Sequence, residues 1–245
     1  CSGVTNFDPI GDNQNPFSHD IFGRGYTISN LTINSSGDEV GLFGKTSSSS
    51  IIEDIHLTNL SVSGRYSVGG LVGENQGSIR QSSVQGSVEG STYTGGLVGY
   101  NNGGTIETSF TKGSVTRTSG SYHGGLVGYS NSGTITNSYS HADVSGRDYV
   151  GGLVGYQYNG SIAYTYAIGL ISASGSYVSG HTGRRRNGSF SQNYWDLNTS
   201  GKNTGHGVPF TSTTLKSLHP YKLALWDLEN VWTIDQSTTS PANNG

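Results

Sequence analysis

Three observations predict an all-β fold: a right-handed parallel β-solenoid (β-helix) of about six or seven coils with an irregular, aromatic-rich C-terminal cap. First, a short glycine-rich motif returns at near-constant spacing along the 245 residues. Second, each return carries three short β-prone pieces separated by Gly, Ser and Asn turns. Third, no repeat places apolar residues at i, i+3, i+4 and i+7, so none carries a helix pattern.

The motif decides how the composition is understood. Gly, Ser and Pro number 39, 38 and 5, about a third of the chain. Without a period, that composition belongs to disordered sequence. Charged residues are only 12% and the net charge is −3, which is unlike a highly charged disordered chain. It also argues against nucleic acid as a partner, since phosphate neutralisation needs a basic face. No apolar run approaches the length of a transmembrane segment. The chain has no Met, which points to a processed product or an excised piece. Cys1 is the only cysteine, so no internal disulfide forms. Two readings of Cys1 compete: the lipid-anchored first residue of a lipoprotein, or a mid-chain residue exposed by trimming. The turn-like run Asp8-Pro9-Ile10-Gly11 follows at once, without a polar tether, and favours trimming.

Residues 1–40 read as an opening coil, with Phe22-Gly23-Arg24-Gly25-Tyr26-Thr27-Ile28 leading into the repeats. Residues 41–183 hold the repeats. Gly-Leu-x-Gly stands at Gly41–Gly44, Gly70–Gly73, Gly96–Gly99, Gly125–Gly128 and Gly152–Gly155, with a decayed copy at Gly180-His181-Thr182-Gly183. From Leu42 through Leu71, Leu97, Leu126 and Leu153 to His181, the intervals are 29, 26, 29, 27 and 28. A second column runs through Ile79, Ile106, Ile135, Ile162 and Phe190, and four residues on comes Ser83, Phe110, Tyr139, Tyr166 and Tyr194. One coil cannot bury its inner face alone; stacking in parallel strands supplies the partner. The Leu and Ile columns are then internal ladders. Glycines supply left-handed corners or let one wall pass close to the next. Right-handedness follows from the preference for right-handed parallel crossovers. Residues 184–236 read as the cap, containing Trp195, Trp226 and Trp232 and a short helix from Thr211 to Leu218 with Ser212 as N-cap. Residues 237–245 read as a frayed tail or linker.

The search for chemistry yields little that is catalytic. Gly44-Lys45-Thr46 imitates the end of a phosphate loop, but position 39 is Glu39 and no helix follows. Neither His-Glu-x-x-His nor Gly-x-Ser-x-Gly occurs. The seven histidines are scattered, and none has a metal-site partner. His123 takes a slot that holds Val or Thr elsewhere and is expected to face outward. Glu74, Glu89, Glu107, Asp143 and Asp148 fall at different repeat positions, as surface charges do; a glycosidase needs a convergent pair. No cofactor or metal is implied. Arg184, Arg185 and Arg186 form either an anion site or a solvated loop. The tyrosines are more informative. Tyr100, Tyr129 and Tyr156 share the slot after the motif, while Tyr93, Tyr122 and Tyr149 share the slot two before the extra glycine that precedes it (Gly95, Gly124 and Gly151), and Tyr177 takes the equivalent slot in the decayed copy. Each set stacks as a ladder, either to reinforce register or to bind sugar rings or a partner surface.

These residues resemble the GLUG-repeat proteins of bacterial surfaces and secretions, named for the Gly-Leu-x-Gly motif. Asn193-Tyr194-Trp195-Asp196, Leu225-Trp226-Asp227 and Val231-Trp232-Thr233-Ile234-Asp235 look like the segment that closes such repeats. The resemblance implies a parallel β-solenoid within large exported, often filamentous-haemagglutinin-like, adhesins. It also implies company with the catalytic domains of some immunoglobulin-A1-protease-type metallopeptidases, and supplies no catalytic residues to carry over. The expectation is a non-enzymatic extracellular or cell-surface module, an adhesin stalk or binding segment whose partner is a glycan or a surface protein. A self-assembling fibre or sheath subunit, joined end to end with copies of itself, is the alternative. A polysaccharide-cleaving β-helix is the second alternative.

Overall fold

The structure, a computed structural model, describes residues 7–217 and the backbone of two short strands, Trp232–Thr233 and Ala242–Asn243, which pair antiparallel. Cys1, Leu218 and Trp226 of the predicted helix and cap, and the predicted tail apart from Ala242–Asn243 lie outside the described residues.

Within 7–217 the chain winds as a parallel β-solenoid, and two of its walls are six-stranded sheets. Each coil starts with a very short corner strand, such as Thr94–Gly95 or His123–Gly124. It bends on Gly-Leu and continues as a wall strand, such as Val98–Asn102 or Val127–Asn131. A turn leads to a three-residue strand, such as Thr105–Glu107, and then to a long one, such as Phe110–Arg117. Every strand pairs in parallel with its counterparts one coil away, in the register that the repeats predict: Val98 with Val127, Ile79 with Ile106, Val115 with Val144.

The core is the set of stacked columns. Leu71, Leu97, Leu126 and Leu153 have no exposed surface, nor have Ile79, Ile106, Ile135 and Ile162. Neighbours Leu97 and Val98 are both buried. The strand alternation that would turn one of them outward is broken, because the bend falls on Gly96-Leu97. The bend also binds coils together: the Leu97 carbonyl accepts the N–H groups of Leu71 (3.0 Å) and Val72 (3.1 Å) from the preceding coil.

The motif glycines, and the glycine just before the motif, act through close approach rather than a left-handed backbone. A Cβ at Gly95 would lie 2.1 Å from the Val98 carbonyl oxygen. Left-handed corners are often taken by other residues, among them Gln81, Thr108 and Asn137.

Polar ladders line parts of the interior. Thr46 Oγ1 donates to Asn75 Oδ1 and Asn75 Nδ2 to Asn101 Oδ1, both at 2.9 Å, and Asn101 Nδ2 closes on the Gly104 carbonyl at 3.0 Å. At another corner Ser82, Ser109 and Ser138 each accept an N–H from the coil before. His123 belongs inside as well, contrary to the outward expectation. It pairs with Thr94 and Val150, and all three are fully buried, because the slot faces inward whatever occupies it.

At the C-terminal end the strand Ser189–Asp196 adds to the stack, and Val208–Phe210 pairs with its last residues. Pro209 sits in this outermost strand, where a missing N–H is tolerated. Trp195 is fully buried over Gly180, where a Cβ would lie 2.1 Å from the indole. The predicted late helix is the single turn Ser212–Leu215, and Thr211 rather than Ser212 is its N-cap. Ser212 Oγ instead donates to Asp196 Oδ2 at 2.7 Å.

Candidate functional site

The wall strands set one face of the coil stack. Along Val98–Asn102, Val98 and Asn101 point inward while Tyr100 and Asn102 point out. Stacking repeats this outward pair, so Tyr100, Tyr129 and Tyr156 form one column and Asn102, Asn131 and Tyr158 the next. Tyr100 and Tyr129 stack with centroids 5.2 Å apart and planes 5° from parallel; Tyr129 and Tyr156 are 5.3 Å and 15°.

Tyr93, Tyr122, Tyr149 and Tyr177 reach the same face from the corner before it. Each takes a positive φ, between 50° and 73°. Their successive ring centres are 5.2, 4.6 and 4.9 Å apart, the first pair tilted by 47° and the other two stacked. The two columns interlock: Tyr93 contacts both Tyr100 (5.6 Å) and Tyr129 (5.1 Å), and Tyr122 contacts Tyr129 and Tyr156 at 5.9 Å each.

The arginines do not act as one patch. Alternation in Thr182–Arg186 puts Arg184 and Arg186 on the tyrosine face and turns Arg185 the other way. Arg185 pairs in register with Gln157, bonds the Gly188 carbonyl and lies over Phe190. Arg184 continues the Tyr156 column, with its guanidinium 4.4 Å from the Tyr177 ring centre and 5.9 Å from that of Tyr149. Arg186 lies 5.7 Å from the Tyr158 ring centre. At the other end the Tyr100 column passes into Glu74 and Lys45, which form an ion pair at 3.2 Å.

Burial, reinforced by Tyr100, Tyr156 and the other neighbouring phenols, pushes the Tyr129 hydroxyl up to about 12. Burial also raises Tyr93 and Tyr122. Tyr93, Tyr122 and Tyr129 are therefore neutral donors at ordinary pH. Because the rings stack along the coil axis, their faces are largely spent on one another. What the surface offers is a comb of ring edges, phenol hydroxyls and Asn side chains, repeated about every 4.8 Å and ending in a cation. Such a comb suits a hydroxyl-rich polymer through hydrogen bonds more than through ring stacking.

One arrangement escaped the sequence reading. His56 Nδ1 lies 2.9 Å from Ser83 Oγ, and His56 Nε2 lies 2.9 Å from Asp54 Oδ1. Asp54 also accepts the Gly25 N–H. The order Ser–His–Asp is that of an acyl-transfer triad, but Ser83 is only 2% exposed. Here the chain of bonds clasps three coils. The signal in sequence is that Ser83 falls 27 residues after His56, one coil on. Glu107 stacks next to Arg80 and Thr136 rather than another carboxylate. Among the described residues no group of three or more His, Cys, Asp or Glu could hold a metal ion.

The family model for the GLUG motif matches residues 64–89, so the chain carries that motif. Halomucin of Haloquadratum walsbyi is 39% identical over 89 residues, 35% of this chain and 1% of that protein. A provisionally named Gly-rich membrane protein of Evansella cellulosilytica is 38% identical over 87 residues, 34% of this chain and 10% of that protein. The matched regions are thus a tenth or less of these two relatives. The crystal structure of a Bacteroides ovatus protein, provisionally named an immunoglobulin A1 protease, superposes with a TM-score of 0.69. That superposition covers 99% of this chain and 82% of the other at 20% identity, and it speaks to the fold alone.

Proposed function

We propose that this chain is a non-enzymatic extracellular display segment of a surface protein, part of an adhesin that holds its target through the tyrosine face. The interlocked tyrosine comb carries this reading. It repeats one set of polar groups over successive coils of a stiff scaffold, which lets individually weak contacts add by multivalency. The GLUG motif shared with a Gly-rich membrane protein supports a place at the cell envelope. Among the described residues no helix is long and apolar enough to cross a membrane.

The test is adhesion of the chain to glycan-coated surfaces, comparing the wild type with Tyr100→Ala/Tyr129→Ala/Tyr156→Ala. Retention should fall at least ten-fold while the β circular-dichroism signal is kept. Undiminished retention would remove the tyrosine face from adhesion.

A further inference from the structure

We propose that the Arg184 end of the tyrosine face recognises a glycan that ends in a carboxylated sugar, with neutral sugars running on down the comb. The inference rests on the display role above and adds the chemical class of its target. Among the described residues neither Arg184 nor Arg186 makes an ion pair. Of the five N–H donors a guanidinium offers, one is directed at the Tyr149 hydroxyl, at 3.4 Å. The rings of Tyr177 and Tyr149 hold the Arg184 side chain on the face. Arg186 stands two residues on, about 7 Å along the same strand face. Two cations with free donors thus sit side by side, and the planar fork of each matches a carboxylate.

The rest of the face fixes where the ligand's charge belongs. Below Arg184 the outward positions are Tyr and Asn, which are neutral hydrogen-bonding groups. At the far end Glu74 is already neutralised by Lys45. A uniformly charged polymer would lay most of its anions against uncharged phenols. A glycan charged only at its tip matches the face from end to end.

Isothermal titration of the full chain tests this with 3′-sialyllactose, in which an acidic sugar is followed by two neutral ones, and with lactose, which lacks the acid. Sialyllactose should bind at least ten-fold more tightly. The preference should vanish in Arg184→Gln and shrink in Arg186→Gln, both with wild-type circular dichroism, and should weaken with added salt. Equal affinity for the two sugars, or a preference that survives in both variants, overturns the inference. Tighter binding of 3′-sulfolactose overturns the carboxylate assignment. Should neither sugar bind while adhesion still depends on the tyrosines, the acidic tip is wrong and the display role stands. Should adhesion also ignore the tyrosines, both fail.

Discussion

Tyr93, Tyr122, Tyr149 and Tyr177 hold φ angles of 50°, 73°, 56° and 59°. The left-handed region costs a residue with a Cβ about 1 kcal/mol or more, and a bulky side chain is unusual there. Other corners meet this demand with Asn137 or Asn159, which are short and suited to it. At the tyrosine corner the cost is offset by the stack, since each aromatic pair contributes about 0.5–1.5 kcal/mol beyond its buried area. Strain and stacking can be separated at Tyr122, which contacts Tyr93 and Tyr149 within its own column. Tyr122→Ala loses the rings and keeps the strain. Tyr122→Gly loses the rings and sheds the strain. In urea denaturation the Ala variant should therefore be less stable than the Gly variant by about 1 kcal/mol. Equal stabilities would show that the corner is not strained.

The coil is the element, and its motif glycines, with the glycine just before the motif, are where backbones nearly touch. A Cβ at Gly95 would lie 2.1 Å from the Val98 carbonyl oxygen and 2.6 Å from the Gly128 nitrogen. Neither backbone can yield without opening the stack. Gly25 is the opposite case, with a φ of +75° and nothing within 4 Å of a Cβ. Gly25→Ala should cost about 1 kcal/mol, whereas Gly95→Ala should cost more than about 3 kcal/mol and expose the chain to limited proteolysis. Similar costs would mean the motif glycines serve only as corners. The Leu and Ile columns were legible in sequence because an apolar residue at a fixed interval has one place to go. The Asn75–Asn101 ladder was not, since a polar residue beside glycine is indistinguishable from a solvated turn. The inward turn of His123 was hidden for the same reason. Parting Arg184 from Arg185 was within reach: aligning Arg184 with the tyrosine slot places Arg185 on the opposite side of the strand.

At the scale of the whole molecule, the solenoid buries titratable groups in the form that is neutral at ordinary pH, and this bounds its stability from both sides. His181 stands in the Leu column with no exposed surface, held by Thr165 and Thr182 hydroxyls at 2.9 Å. Burial first, and then His206, pushes it down to about 3. His141 is more accessible and bonds the Tyr166 hydroxyl at 2.9 Å. Burial and then Lys112 push it down to about 3. An unfolded chain protonates both near 6.5. As pH falls from 6.5 towards 3, the unfolded state binds more protons and stability is lost. The phenols act in the opposite direction. Tyr129 titrates near 10 when unfolded and about 12 when folded. Above 10 the folded state retains protons that the unfolded state releases, so stability falls again between about 10 and 12. The thermal midpoint should therefore hold a plateau from about pH 7 to 10 and decline on either side. His181→Leu restores the residue of the other coils at that slot. It should lessen without abolishing the decline between pH 6.5 and 5, since His141 and His206 remain and ordinary carboxylates do not yet titrate there, and leave the alkaline limb unchanged. An acid slope equal to wild type would show that His181 takes up no extra proton on unfolding, and the acid limit would no longer be explained by its burial.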